Sequence, residues 1–202
     1  MAITKPEDYL SLLQTTLNCL DLSAVDRLAE AFLQVREHGG HIYTFGNGGS
    51  GATASHAAGD FLKGASYGLD RRFKMICLND NLPALMAIAN DIGYEDIFVE
   101  QLRNFIGQND LVIGISGSGN SENVVRALAL AKAKGVKTVA MCGFKGGKIA
   151  GMADLVIHVP AMDMEVTEDA HMVVFNMVKK VVMHRLLGDN PSMGSVYDAR
   201  TP

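Results

Sequence analysis

Five short runs of apolar and β-branched residues divide the chain, at residues 41–45 (HIYTF), 73–78 (FKMICL), 111–115 (LVIGI), 137–142 (KTVAMC) and 155–160 (LVIHVP). Each has the length of a strand, and helical patterns fill the intervals. Helices are predicted over 9–20 and 23–37, the second with Val25, Leu28, Phe32 and Val35 at helical spacing. Pro6 suits the start of the first, and Asp21 or Ser23 that of the second. A further helix over 121–134 is stopped by Gly135, a residue type that closes helices well. Strands that alternate with helices across short loops specify an α/β fold: a single doubly wound, five-stranded parallel sheet with helices on both faces. Ligands bind such sheets outside the carboxyl ends of the strands, which directs attention to the loops there.

The 202 residues suffice for one domain with a sizeable core, and 48% hydrophobic with 20% charged residues is a globular balance. The expected division is N-terminal helices (1–38), a ligand-binding α/β unit (39–187) and an irregular tail (188–202). A net charge of −4, with no Lys/Arg run longer than two, argues against direct nucleic-acid binding or an anionic membrane. No apolar stretch approaches membrane-span length and MAITKPEDYL lacks a signal-peptide pattern, so a cytoplasmic location is expected. Cys19, Cys77 and Cys142 form no C-x-x-C pair and fit free thiols in a reducing compartment. The helix expected over about 165–187 is apolar nearly all round, for only His171 and Asn176 are polar between Ala170 and Val178. Such a helix is buried, and burial against a second subunit is favoured over burial within one chain.

The first strand runs into Gly46-Asn47-Gly48-Gly49-Ser50-Gly51. Its glycines let backbone N–H groups approach a ligand, and Ser50 can cap the helix that follows. The string satisfies G-x-G-x-x-G. The acid expected on a dinucleotide's ribose, however, has only Asp80 as candidate, about 30 residues on rather than about 20. The third strand opens into Ser116-Gly117-Ser118-Gly119-Asn120-Ser121. Three hydroxyls among glycines at a helix N-terminus make a nest for a single phosphate. The spacing G-x-x-x-x-G-K-[ST] is missing, which argues against a nucleoside triphosphate. A polyol monophosphate suits both loops, and plain tight turns are the bland alternative. Lys145 and Lys148 read as a solvated turn, Cys77 and Cys142 as small core residues.

GNGGS after the first strand, ISGSGNS after the third and the intervening NLPALMAIANDIGYEDIF resemble the sugar isomerase (SIS) domain. More narrowly, they resemble the sedoheptulose 7-phosphate isomerases (phosphoheptose isomerases) of lipopolysaccharide precursor synthesis, over residues 8–187. The resemblance implies a homotetramer with active sites between subunits, acting on a phosphorylated sugar. Ser116, Ser118 and Ser121 match its phosphate-binding hydroxyls, and Asn47, Gly48, Ser50 and Asp91 match substrate-binding positions.

Aldose–ketose isomerisation moves a proton between neighbouring carbons through an enediol, and needs a base and a second group for the hydroxyl proton. The resemblance implies a glutamate at position 60 and a histidine at position 176, where this chain has Asp60 and Asn176. Aspartate keeps the carboxylate but shortens its reach by a methylene, and asparagine cannot exchange a proton at neutral pH. Some relatives hold zinc with these positions, His56 and a glutamine, the last replaced here by Glu168. The proton work then falls to Asp60 and Glu168. His56, Asp60 and Glu168 also form a candidate three-ligand set for zinc or another divalent metal, with a metal-free polar cluster as the competing reading. At roughly 100° per residue, Asn176 lies roughly 80° from Glu168 and His171 roughly 60° the other way, which points His171 elsewhere. An isomerase thus competes with a non-catalytic sugar-phosphate-binding regulator or scaffold, like the DnaA initiator-associating protein. Intact GNGGS, the three serines and a carboxylate at position 60 favour the isomerase.

Overall fold

A computed structural model describes residues 3–188. Two helices lead, α1 (Pro6–Asn18) and α2 (Leu22–Glu37), followed by β1 (Ile42–Gly46), α3 (Gly48–Gly59), a π-helical turn (Asp60–Gly64) and β2 (Met75–Cys77). Next come α4 (Leu82–Asp91), a 3-10 turn (Tyr94–Asp96), α5 (Val99–Phe105), β3 (Leu111–Ser116) and α6 (Glu122–Ala133). The chain continues through β4 (Lys137–Cys142), α7 (Gly147–Ala150), β5 (Leu155–His158) and α8 (Met164–Leu187). All five predicted runs are strands. They form one parallel sheet in the order β2-β1-β3-β4-β5.

The sheet is covered on both faces, and every residue of β1 and β3 is accordingly buried. On one face, Phe32 of α2 meets Phe61 at 4.6 Å between ring centroids, and Phe73 joins them beside the buried side of α8. On the other, Phe45 stacks on Phe98 at 4.9 Å above Leu128 of α6. Asp21 is the residue that caps α2, accepting from the amides of Ser23 and Ala24. Ser50 does not cap α3. The helix starts at Gly48, two residues earlier, with Asn47 at the cap position and Ser50 buried in the first turn.

The sheet order reverses between β1 and β3, since β1 leads outward to β2 while β3 leads to β4 on the other side. The GNGGSG and SGSGNS loops therefore flank the crevice where such sheets bind ligands. The expected helix 165–187 is α8. Val166, Ala170, Val174, Phe175, Val178 and Val182 bury one side of it within the chain. Its other side leaves Val173, Met177 and Val181 half-buried, forming with Leu22 and Val25 of α2 an apolar groove of about 490 Å³. Residues 189–202 of the expected tail lie outside the described residues. No helix among the described residues is long and apolar enough to cross a membrane.

His171 lies among the buried residues of α8. It is fully buried, and neither ring nitrogen has a hydrogen-bond partner among the described residues. Burial pushes its pKa down to about 4. The unfolded chain therefore binds this proton more readily, and stability falls as the pH drops from about 6.5 towards 4. His171→Met is expected to stabilise the protein by about 1–2 kcal/mol and to flatten that acid decline, read as melting temperature against pH.

Candidate functional site

The crevice is a cavity of about 260 Å³ lined by Asn47, Gly48, Gly49, Ser50, Ser116, Gly117, Ser118, Ser121, Met164 and Glu168. It lies where α3 and α6 begin, so two sets of unpaired helix N–H groups and two positive dipole ends face it. Ser116 Oγ lies 3.0 Å from Ser121 Oγ and 3.5 Å from Ser118 Oγ. Three hydroxyls clustered around Ser116 Oγ can donate to the oxygens of one phosphate. Glu168 is the only charged residue lining the cavity among those described, so the anion nest is built from hydroxyls and amides rather than lysine or arginine.

Asn47 is fixed at the mouth by a reciprocal amide pair with Asn123, its Nδ2 donating at 3.0 Å and its Oδ1 accepting at 2.9 Å. The hydroxyl of Tyr94 donates to the same Oδ1 at 3.0 Å. Asn79 clamps the end of β1 by accepting from the Gly46 amide and donating to the Gly46 carbonyl. Asn123, Tyr94 and Asn79 went unmarked in the sequence, for their partners lie up to 76 positions away. The only local hint was the repetition of asparagine at loop ends.

Glu168, on the first turns of α8, brings its carboxylate against Gly49. A Cβ there would overlap the carboxylate, so the close approach requires glycine. Burial raises the pKa of Glu168, and the negative charges of Glu165 and Asp169 raise it further, against the Ser50 amide that favours the ionised form. A half-buried carboxyl whose pKa is raised, beside an anion nest, is a candidate to take and return a proton.

The other implied residues do not gather here. Asp60 lies at the far end of α3, about 16 Å along the axis from Gly49 at roughly 1.5 Å per residue. There its Oδ2 is 3.6 Å from His56 Nε2 and its Oδ1 is 2.8 Å from Lys179 Nζ. The expected set His56, Asp60 and Glu168 is thus not assembled within one chain. No three His, Cys, Asp or Glu side chains among the described residues converge to hold a metal. Asn176 is exposed and lines the α2–α8 groove, on a different side of α8 from Glu168. Asp91 is exposed at the end of α4, bonded to the Asn90 side chain. Asp80, the candidate ribose acid, lines a separate groove with Ser55 and Ile76.

A SIS domain matches residues 8–143. The chain belongs to the SIS-domain family. Its curated relatives include a phosphoheptose isomerase of Burkholderia pseudomallei, 35% identical over 168 residues that cover 83% of this chain and 84% of the relative. Another, of Helicobacter pylori, is 38% identical over 147 residues, covering 72% and 76%. Among solved structures, a phosphoheptose isomerase from Neisseria gonorrhoeae superposes with a TM-score of 0.79 at 29% identity, covering 87% of this chain and 94% of that one. One from Francisella tularensis gives 0.80 at 25% identity, covering 88% and 95%. The SIS-domain match takes in both glycine-rich loops, and the relatives' coverage extends over most of the chain.

Proposed function

We propose that this SIS-domain protein is a cytoplasmic aldose–ketose isomerase of phosphorylated sugars, with sedoheptulose 7-phosphate as the favoured substrate. The observation that carries the reading is that an anion nest and a carboxyl with a raised pKa share one crevice at the switch point of the sheet. The names of the relatives, phosphoheptose isomerases over most of the chain, support a phosphorylated heptose as the sugar. The phosphate sits on the hydroxyls of Ser116, Ser118 and Ser121 and the first amides of α6. Asn47, held by Asn123 and Tyr94, orients the sugar chain. Glu168 takes the proton from the carbon beside the carbonyl. The C–H electrons form the C=C bond of an enediol as the carbonyl oxygen takes up the proton of the neighbouring hydroxyl. The oxygen that gave up its proton becomes the new carbonyl, and Glu168 returns its own proton to the former carbonyl carbon.

Asp60 is too far along α3 to reach a substrate in its own chain's crevice, since proton transfer needs about 3 Å. It is assigned to the crevice of a neighbouring copy. The uncovered apolar groove between α2 and α8 offers the surface for such an assembly, and a homotetramer is the proposed state. The phosphate nest is tested with Ser118→Ala and Ser121→Ala. Each removes a hydrogen bond to a charged group worth about 1.5–3 kcal/mol, so each is expected to weaken sugar-phosphate binding by roughly 10- to 100-fold in calorimetry. Unchanged affinity in both variants would place the phosphate elsewhere.

A further inference from the structure

Asp60 opens the π-helical turn that continues α3; its Oδ1 is held by Lys179 Nζ at 2.8 Å, and its Oδ2 lies 3.6 Å from His56 Nε2, beyond hydrogen-bond reach. The π turn re-aims the side chain relative to an ordinary helix, and such turns concentrate at functional sites. Lys179 reaches it from α8 and is the most enclosed of the three, its side chain 19% exposed against 28% for Asp60 and 59% for His56. The lysine has a built seat. A Cβ at Gly64 would come within 2.9 Å of both Cε and Nζ, so the absence of a side chain at Gly64 makes room for the ammonium.

A zinc ion at Asp60 would use Oδ2 and the His56 nitrogen, and it needs further ligands around it. Here the ammonium already holds Oδ1 and carries the same sign of charge as any incoming cation. Position 176, where the family resemblance implies a histidine, is an asparagine turned towards the α2–α8 groove. The residues present do not fit the metal. We infer that Lys179 is a tethered cation standing in place of a metal ion at Asp60, giving that carboxylate its counter-charge and its orientation without zinc. Lys179 acts through Asp60 and is a positioning residue. The inference deepens the isomerase reading, on which it rests only for making Asp60 a working group.

The test is zinc binding by the full chain, read by calorimetry and by metal content after desalting, with no turnover needed. The wild type is expected to take up no zinc that depends on His56. Lys179→Met frees the pair and is expected to tighten zinc binding by roughly 10- to 100-fold. Adding His56→Ala should abolish that gain, and Lys179→Arg, which keeps the cation, should show none. Wild-type zinc that disappears with His56→Ala would overturn the inference, as would a folded Lys179→Met protein with unchanged zinc affinity. Should Lys179→Met fail to fold by circular dichroism, Lys179→Gln takes its place, and the comparison of wild type with His56→Ala decides in either case. Zinc held by the wild type would leave the isomerase reading standing, because proton exchange into substrate tests that separately.

Discussion

Glu168→Gln is expected to lower turnover by roughly 10²- to 10⁴-fold while leaving sugar-phosphate affinity nearly intact. Glutamine keeps the size of the side chain and its place against Gly49, but it cannot take up a proton. The family resemblance implies a glutamine at this position, paired with a glutamate at 60 and a histidine at 176. In this chain those partners are Asp60 and Asn176, so Glu168 is the one carboxylate lining the crevice among the described residues. The same substitution is expected to stabilise the fold at neutral pH. The folded-state pKa of Glu168 is raised, so the native state holds its proton more tightly than the unfolded chain does. Stability therefore falls as the pH rises from the ordinary carboxylate range through that raised value, and the variant escapes the loss. Its melting temperature should exceed that of the wild type at pH 7, and the two should converge below about pH 4. Lower activity with higher stability is the signature of a working group held in an unfavourable setting. Full activity in Glu168→Gln would remove Glu168 from the mechanism.

Gly49→Ala is the second large effect, and it separates position from presence. The added Cβ would overlap the Glu168 carboxylate, which is the free end of a flexible side chain and can swing aside. The helix loses nothing, since alanine is favoured over glycine within a helix by about 0.5–1 kcal/mol. The expected outcome is an unchanged or slightly raised melting temperature, with kcat/KM lower by roughly 10²-fold, the cost of misplacing a reacting group by about 1 Å. A drop in activity that tracked a drop in stability would instead mark Gly49 as a purely structural residue.

The fold was legible because its signals are local. The runs at 41–45, 111–115 and 137–142 are continuous and apolar because β1, β3 and β4 are central strands covered on both faces. The serine loop was legible for the same reason, since Ser116, Ser118 and Ser121 converge within six residues of chain. What sequence spacing could not reveal are contacts between elements. The Asn47–Asn123 pair joins two loops across the crevice, and Lys179 meets Asp60 from another helix. Ser50 looked like a cap because serine favours that position, yet the helix begins at Gly48 with Asn47 at the cap position, which leaves Ser50 inside the first turn. The metal set His56, Asp60 and Glu168 rested on the family resemblance rather than on a spacing motif. Glu168 falls at the opposite end of α3, which helical spacing on α8 alone does not show.

The most direct test of the account is incubation of the purified protein with sedoheptulose 7-phosphate in deuterium oxide, following both product and deuterium at the carbon beside the carbonyl. The account predicts product together with incorporated deuterium, both lost in Glu168→Gln. Tight binding of the sugar phosphate with neither product nor exchange would contradict it, and would make the crevice a sensor of sugar phosphate rather than a site of turnover.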